Sequence, residues 1–299
     1  MSFEYNFHYS SSIGGNLRSE CSKSNQIIIE SSNKDINYIN YPPIISNNDI
    51  FIKAKFAHNK YGLVIGALSQ DKNNLFIYKY GKVSLYQSKW MLLSKINLKN
   101  IEDFDFMNNS ISNKLKVIVV TLLGKAYIFE ASDYSLQTFN MIWNNQVDES
   151  SCYSVACNNF ESFTEEFIIG CKGEKNDEIM QFYRYDNKVK AYQKVNFQKQ
   201  KNTMDKNCVI IELKIGYQIG TDFYYICASM ANGKVLFYKL STEMKSMNPI
   251  GEYQSQTGPI ISLSWNNNNK SVIGHDSNRK GYEFKQKPNE EGFCYNNNF

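Results

Sequence analysis

Short apolar runs separated by polar turns recur from one end of the chain to the other. IFIKAKF at 50 to 56 alternates apolar and other residues, the period of a half-buried strand. VIGALS at 64 to 69 and LFIYKY at 75 to 80 are rich in strand-favouring residues, and the intervening QDKNN has the composition of a hairpin turn. Together the three segments predict a β-meander. No stretch carries a convincing helical pattern of apolar residues at three and four spacing over ten or more positions.

The sequence of run, turn and run then repeats. It is found in NLRSECSKSNQIIIES at 16 to 31, in KVIVVTLLGKAYIFEA at 116 to 131 with the turn shortened around Gly124, and in EFIIGCKGEKNDEIMQFYRYD at 166 to 186. It recurs in YYICASMANGKVLFYKL at 224 to 240, turning at Asn232 and Gly233, and in SVIGHDSNRKGYEFKQ at 271 to 286, turning at Asp276. The equivalent closing positions are Ile29, Tyr78, Phe129, Tyr183, Tyr238 and Phe284, with separations of 49, 51, 54, 55 and 46 residues. A period near 50 with several short strands per unit predicts a propeller, because one small twisted sheet cannot bury both faces without neighbours.

Ahead of each hairpin stands a further strand: EYNFHY at 4 to 9, DIFIKAKF at 49 to 56, IEDFDF at 101 to 106, CYSVAC at 152 to 157, VIIELKI at 209 to 215 and PIISLSW at 259 to 265. Phe56, Phe106 and Trp265 lie at the ends of these strands. KWMLLSKINL at 89 to 98, NMIWNN at 140 to 145 and KAYQKVNF at 190 to 197 supply fourth, outer strands. The expected fold class is therefore all-β, a propeller of about six blades in one domain spanning 1–287. The blades fall at roughly 1–34, 35–86, 87–138, 139–196, 197–246 and 247–287, and 288–299 forms a C-terminal tail. Six such units can close into a ring or leave a gap.

Composition supports a folded chain and narrows its partners. With 299 residues, 42% hydrophobic and 14% aromatic, a sizeable core is available. The 33 basic and 29 acidic residues nearly balance and the basic ones are scattered, so direct nucleic-acid binding is not expected. The longest apolar run, VIVVTLL at 117 to 123, is too short to span a bilayer, and MSFEYNFHYS lacks the basic-then-apolar order of a leader. A soluble intracellular protein without membrane insertion is the expectation. Seven widely spaced cysteines fit a reducing compartment better than a disulfide framework. Asparagine runs such as 266 to 269 and 296 to 298 read as exposed loops, and the N-x-S matches at Asn108 and Asn269 are expected by chance in an Asn-rich chain.

Candidate chemistry is thin. His58 sits beside Lys60 and near Asp71, but His8 and His275 lie in distant units and no geometric partner for a general base is visible, so His58 reads as a loop residue. Cys152, Cys157 and Cys171 are too loosely spaced for a usual zinc site and fall in or beside strands, where cysteine acts as a small hydrophobe. Asp71 and Asp276 occupy strand-connecting turns, where Asp accepts from backbone amides. GLVIG, GYQIG and GCKGEK lack phosphate-loop spacing, and QKQKNTMDKN at 198 to 207 reads as a solvated loop. No catalytic residue, metal or cofactor is assigned, which fits a binding module whose loops and rim carry the function.

FAHNKYGLVIGALSQDKNNLFIYKY at 56 to 80 resembles the second blade of the six-bladed WD-repeat scaffold propellers shared by the nuclear pore and the vesicle coat. KAYIFEASDYSLQTF at 125 to 139, SSCYSVACN at 150 to 158 and QFYRYDNKVKAYQKV at 181 to 195 resemble the Seh-type nucleoporin rather than its Sec-thirteen-type coat paralogue. GEYQSQTGPIISLSWNNNNKSVIGHDSNRKGYEF at 251 to 284 resembles the sixth blade of the same type, with Trp265 and Asp276 on the matching aromatic and turn acid. The resemblance runs collinearly along nearly the whole chain, although no unit carries the paired Gly-His and Trp-Asp signature and Gly124 stands where a turn Asp is usual.

The resemblance implies a non-enzymatic scaffold subunit of the Y-shaped outer-ring complex of the nuclear pore, at the nuclear envelope. Its propeller would be open and completed by strands donated from an α-solenoid nucleoporin, alongside other outer-ring nucleoporins. The expected gap lies between the first and last units, flanked by Phe3, Tyr5 and Phe7 and by Tyr282 and Phe284. A vesicle-coat subunit, a subunit of a lysosomal or vacuolar nutrient-signalling complex, and a general WD-repeat adaptor are the alternatives.

Overall fold

The computed structural model describes residues 8–11, 17–21, 25–31, 41–84, 87–107, 114–148, 151–158, 165–172, 179–197, 208–217, 223–241, 246–266, 270–287 and 292–296. They form six antiparallel sheets of four strands, each built from strands consecutive in sequence. The first contains β1 (His8–Ser11), β2 (Leu17–Cys21), β3 (Gln26–Ser31) and β4 (Ile44–Ile45). The second contains β5 (Phe51–Phe56), β6 (Val64–Ser69), β7 (Asn74–Lys82) and β8 (Ser88–Asn97). The third contains β9 (Ile101–Met107), β10 (Lys116–Thr121), β11 (Lys125–Ala131) and β12 (Phe139–Gln146).

The fourth contains β13 (Cys152–Cys157), β14 (Glu166–Cys171), β15 (Met180–Asp186) and β16 (Ala191–Val195). The fifth contains β17 (Ile210–Tyr217), β18 (Phe223–Met230), β19 (Lys234–Ser241) and β20 (Met247–Gln254). The sixth contains β21 (Ile260–Trp265), β22 (Ser271–Asp276), β23 (Gly281–Gln286) and β24 (Phe293–Tyr295). Among the described residues a single turn of 3-10 helix at Asn59–Tyr61 interrupts the all-β pattern.

Each outer strand pairs with the hairpin before it, so five sheets end near 45, 97, 146, 254 and 295, one strand later than the expected 34, 86, 138, 246 and 287, while the fourth ends at 195 beside the expected 196. Tyr295 lies opposite Phe284 and Phe293 opposite Gln286, so the fourth strand of the last blade comes from the segment expected to be a tail.

The first strands of the sheets line up around an axis: β1 lies against β5 and β21, β13 against β9 and β17, and β17 against β21, with β5 against β9. That arrangement makes the sheets blades of a propeller whose innermost strands run all the way round. The core lies between the blades. Cys21, Ile27, Ile29 and Ile44 of blade one pack on Phe51, Phe56, Ile65 and Tyr78 of blade two. Val64, Leu68 and Ile77 meet Phe104, Phe106, Val117 and Val119 of blade three. Similar clusters join blades three and four, four and five, and five and six.

Close approach dictates a glycine at one of these seams. A Cβ on Gly66 of β6 would stand 2.6 Å from the Phe104 ring, which occupies that space. The adjoining turn of blade three needs another. Gly124 has φ +71°, and a Cβ there would be 2.0 Å from the Asp148 carbonyl oxygen. Its own carbonyl accepts from Val147 N and Asp148 N, which ties the end of β12 to the turn.

Candidate functional site

An unexpected set of buried charges sits on the innermost strands. In five blades the pairing of the first strand with the second slips by one residue, between Phe51 and Lys53, Cys152 and Ser154, Ile210 and Glu212, Ile260 and Ser262, and between Ile101 and Asp103. A bulge re-aims the side chain that follows it. The residues so placed are Lys53, Asp103, Ser154, Glu212 and Ser262, none more than 3% exposed. They are equivalent positions around one ring of the propeller axis.

Direct contacts knit this ring together. Lys53 Nζ donates to Asp103 Oδ1 at 3.0 Å and to Glu212 Oε2 at 3.2 Å, linking blade two to blades three and five. Lys55 Nζ donates to Asp103 Oδ2 at 3.0 Å, and Ser154 Oγ and Val155 N donate to the same oxygen at 3.1 and 3.0 Å. Ser154 Oγ accepts in turn from Leu213 N at 2.9 Å, and Lys214 Nζ lies 3.0 Å from Glu212 Oε1. Asp105, two residues along β9, accepts from Cys157 N at 2.8 Å.

The electrostatics follow from burial and these partners. Burial opposes ionisation of Asp103, but Lys53 and Lys55 outweigh it and hold the carboxyl below its ordinary value. Burial likewise opposes charge on Lys53 and Lys55, and Asp103 and Glu212 hold both ammonium groups above their ordinary value. Asp105 differs: burial raises its pKa, and Lys55, Lys214 and the Cys157 amide offset only part of that. The carboxylate of Asp103 is saturated by ammonium, hydroxyl and amide donors. The cluster thus works as a brace between blades, since a buried charge without its partners would cost several kcal/mol. A smaller cluster joins blades three and four, where Lys116 Nζ lies 2.8 Å from Glu165 Oε1 and Tyr192 Oη donates to Glu165 Oε2.

The seam between the last blade and the first is built differently from the other five. Its inner strands touch, and Arg279 of blade six lies 3.6 Å from Glu20 of blade one in an exposed ion pair. Farther out, the side of blade one turned away from blade two carries Gln26, Ile28, Glu30 and Ile45, with Ile28 41% and Ile45 61% exposed. The corresponding side of blade six carries Ile273, Glu283, Lys285 and Cys294, of which Lys285 and Cys294 are exposed. The ring is thus closed at its axis, not open through its full depth as expected, and parts toward the rim.

The residues singled out from the sequence fall into three groups. Phe3, Tyr5 and Phe7 lie outside the described residues, as does the basic stretch 198 to 207. Tyr282 and Phe284 are 1% and 0% exposed and pack with Tyr253, Phe237 and Tyr295 on the blade-five side of β23, so they do not line the blade-one seam. The alternation of β23 decides this: Glu283 and Lys285, not the aromatics, face blade one.

Asp71 accepts from Asn73 N at 3.0 Å and from Ser69 Oγ, and Asp276 accepts from Asn278 N at 2.8 Å and Lys280 N at 3.0 Å. Both are turn carboxylates in different blades. His58 Nδ1 accepts from Lys60 N at 3.1 Å and caps the 3-10 turn. Cys152 and Cys171 face each other on paired strands with sulfurs 3.4 Å apart, packed among Val155, Phe167 and Ile169.

No protein-family model matches the sequence, and no curated protein matches it. Among solved structures the chain is similar to Sqt1 of Saccharomyces cerevisiae, with a TM-score of 0.54 and 11% identity over 96% of this chain and 72% of that one. The architecture is a β-propeller with six blades. At 11% identity the likeness concerns the fold alone. The propeller carries a triad in its sixth blade that serves this architecture: Thr257 Oγ1 donates to the Asp276 carboxylate at 2.7 Å, and Tyr282 Oη contacts both. The group pins the loop before β21 to the turn after β22. No helix among the described residues is long and apolar enough to cross a membrane.

Proposed function

We propose that this protein is a non-enzymatic scaffold subunit of the nuclear-pore outer-ring complex, and that an α-solenoid nucleoporin donates strands to the seam between its last and first blades. The observation that carries the proposal is the contrast in burial at that seam. Ile28 and Ile45 are exposed on one side of blade one, whereas Ile27, Ile29 and Ile44 on its other side are at most 5% exposed. A donated sheet would cover the exposed face and pair with free strand edges, which is β-augmentation. The phrases at 125 to 139, 150 to 158 and 181 to 195, similar to the Seh type, favour this reading over the vesicle-coat paralogue.

Co-expression with an α-solenoid nucleoporin tests it. The expected result is a co-purifying complex that Ile28→Asp with Ile45→Asp disrupts while the thermal midpoint of the free propeller stays within a few degrees. A chain that remains monomeric beside the solenoid, or a complex indifferent to both substitutions, overturns the reading. A tagged copy at the nuclear rim, not in puncta at vesicle exit sites, separates the pore from the coat.

A further inference from the structure

A second seam carries a different kind of opening. Between blades two and three, two adjoining hollows of about 550 and 600 Å³ meet at Asn97. Leu93, Ile96, Phe129 and Phe139 give the first an apolar lining, and Leu98, Leu123 and Tyr127 do so for the second. Two exposed lysines, Lys99 and Lys125, give the pair its charge, while Lys95 on β8 turns its ammonium to the Phe76 ring on the other face; among the described residues no acidic side chain lines either hollow.

The shape bears on what could lie there. Six consecutive residues of β8, from Leu92 to Asn97, border the first hollow. Side chains alternate across a strand, so an unbroken run of lining residues means that the groove follows the strand's edge and not one face. Among the described strands β8 is the outermost of its sheet and is hydrogen-bonded in the ladder to β7 alone. Its outer backbone edge is therefore available to an added strand.

We propose that this groove binds an acidic, extended peptide segment of a partner protein. The segment runs along the outer edge of β8, seats apolar side chains between Leu93, Ile96, Phe129 and Phe139, and places carboxylates on Lys99 and Lys125. An extended chain supplies the main-chain donors and acceptors that β8 lacks, and alternate side chains enter the hollows. The all-basic charge supplies selection for acidic segments. The groove lies away from the seam between blades six and one, so a partner at either seam leaves the other accessible.

Selection of a displayed library of random nonapeptides on the full-length protein tests the proposal, followed by anisotropy titration of the enriched peptides against wild type and the Lys99→Glu/Lys125→Glu variant. Circular dichroism and thermal melting confirm that the variant folds. The expected result is enrichment of peptides that interleave Asp or Glu with Leu, Ile or Phe, with affinity falling at least tenfold in the variant and weakening with salt. A second variant, Phe129→Asp, is expected to abolish binding of the same peptides.

The proposal is overturned by enriched peptides that lack acidic residues, by peptides that bind the charge-reversed variant as tightly as wild type, or by no enrichment at all. A single-stranded oligonucleotide that displaces the peptides at tenfold lower concentration would make the groove a general polyanion site, which also overturns it.

Discussion

Asp103 and Asp105 are two residues apart on β9, both buried, and shifted in opposite directions. Asp103 is depressed, so its contribution to stability is complete above its ordinary value of 3.8 and is lost as pH falls through the lower folded value. Lys53 and Lys55 are raised, so their contribution is complete below 10.5 and is lost as pH rises through the folded values. Asp105 is raised, so its contribution is present at low pH and is lost as pH rises above 3.8.

Urea midpoints measured across pH should therefore fall at both extremes, and Asp105→Asn should remove a loss on the acid-to-neutral side. Lys53→Met should cost about 3 to 5 kcal/mol at neutral pH, because it leaves Glu212 and Asp103 short of a buried partner. Gly124→Ala should cost at least about 2 kcal/mol, from the positive φ and from displacing the Asp148 carbonyl. A melt of Gly124→Ala at the wild-type midpoint would contradict the turn geometry.

Outer strands differ among the blades in what they cover. β24 is three residues long, yet Phe293 is 4% exposed and stacks on Phe237 of blade five with ring centroids 4.8 Å apart. β12 carries Met141 and Ile142, 53% and 45% exposed. Phe293→Ala should accordingly cost about 3 to 5 kcal/mol in chemical denaturation. Met141→Lys should stay within about 0.5 kcal/mol of wild type. Equal effects of the two substitutions would show that β24 is not an integral fourth strand.

At the scale of the molecule, each blade is made from one continuous stretch of chain, so among the described strands none from the N-terminal end completes the last blade. Closure between blades six and one then rests on β1 against β21 and on the exposed Arg279–Glu20 pair. An exposed pair is worth at most about 1 kcal/mol, so this seam should be the first to open. Native-state hydrogen exchange should show the amides of β2, β3 and β22 exchanging before those of β10 and β14. Earlier exchange in β10 or β14 would place the weak seam elsewhere.

Most of the fold is legible in the residue pattern, because strand period, hairpin turns and a repeat near 50 all depend on local chemistry. Asp71 and Asp276 could be read as turn carboxylates for the same reason: the backbone amides that each accepts from lie within four residues. The axial brace also left a trace, since Lys53 and Lys55, Asp103 and Asp105, and Glu212 and Lys214 stand two apart in the first strands of three units. That trace has no meaning until three blades bring those strands together, because Lys53 and Lys55 find Asp103 and Glu212 about 50 residues or more away, and only the Lys214–Glu212 pair is local.

The side to which Tyr282 and Phe284 turn, and the shift of the last strand into 293–295, were likewise decided by packing against blade five. The sequence by itself determined the strands, the turns and the number of repeats. Only the closed ring decided which charges meet at the axis and which blade faces remain uncovered, because both depend on the angle at which distant sheets pack.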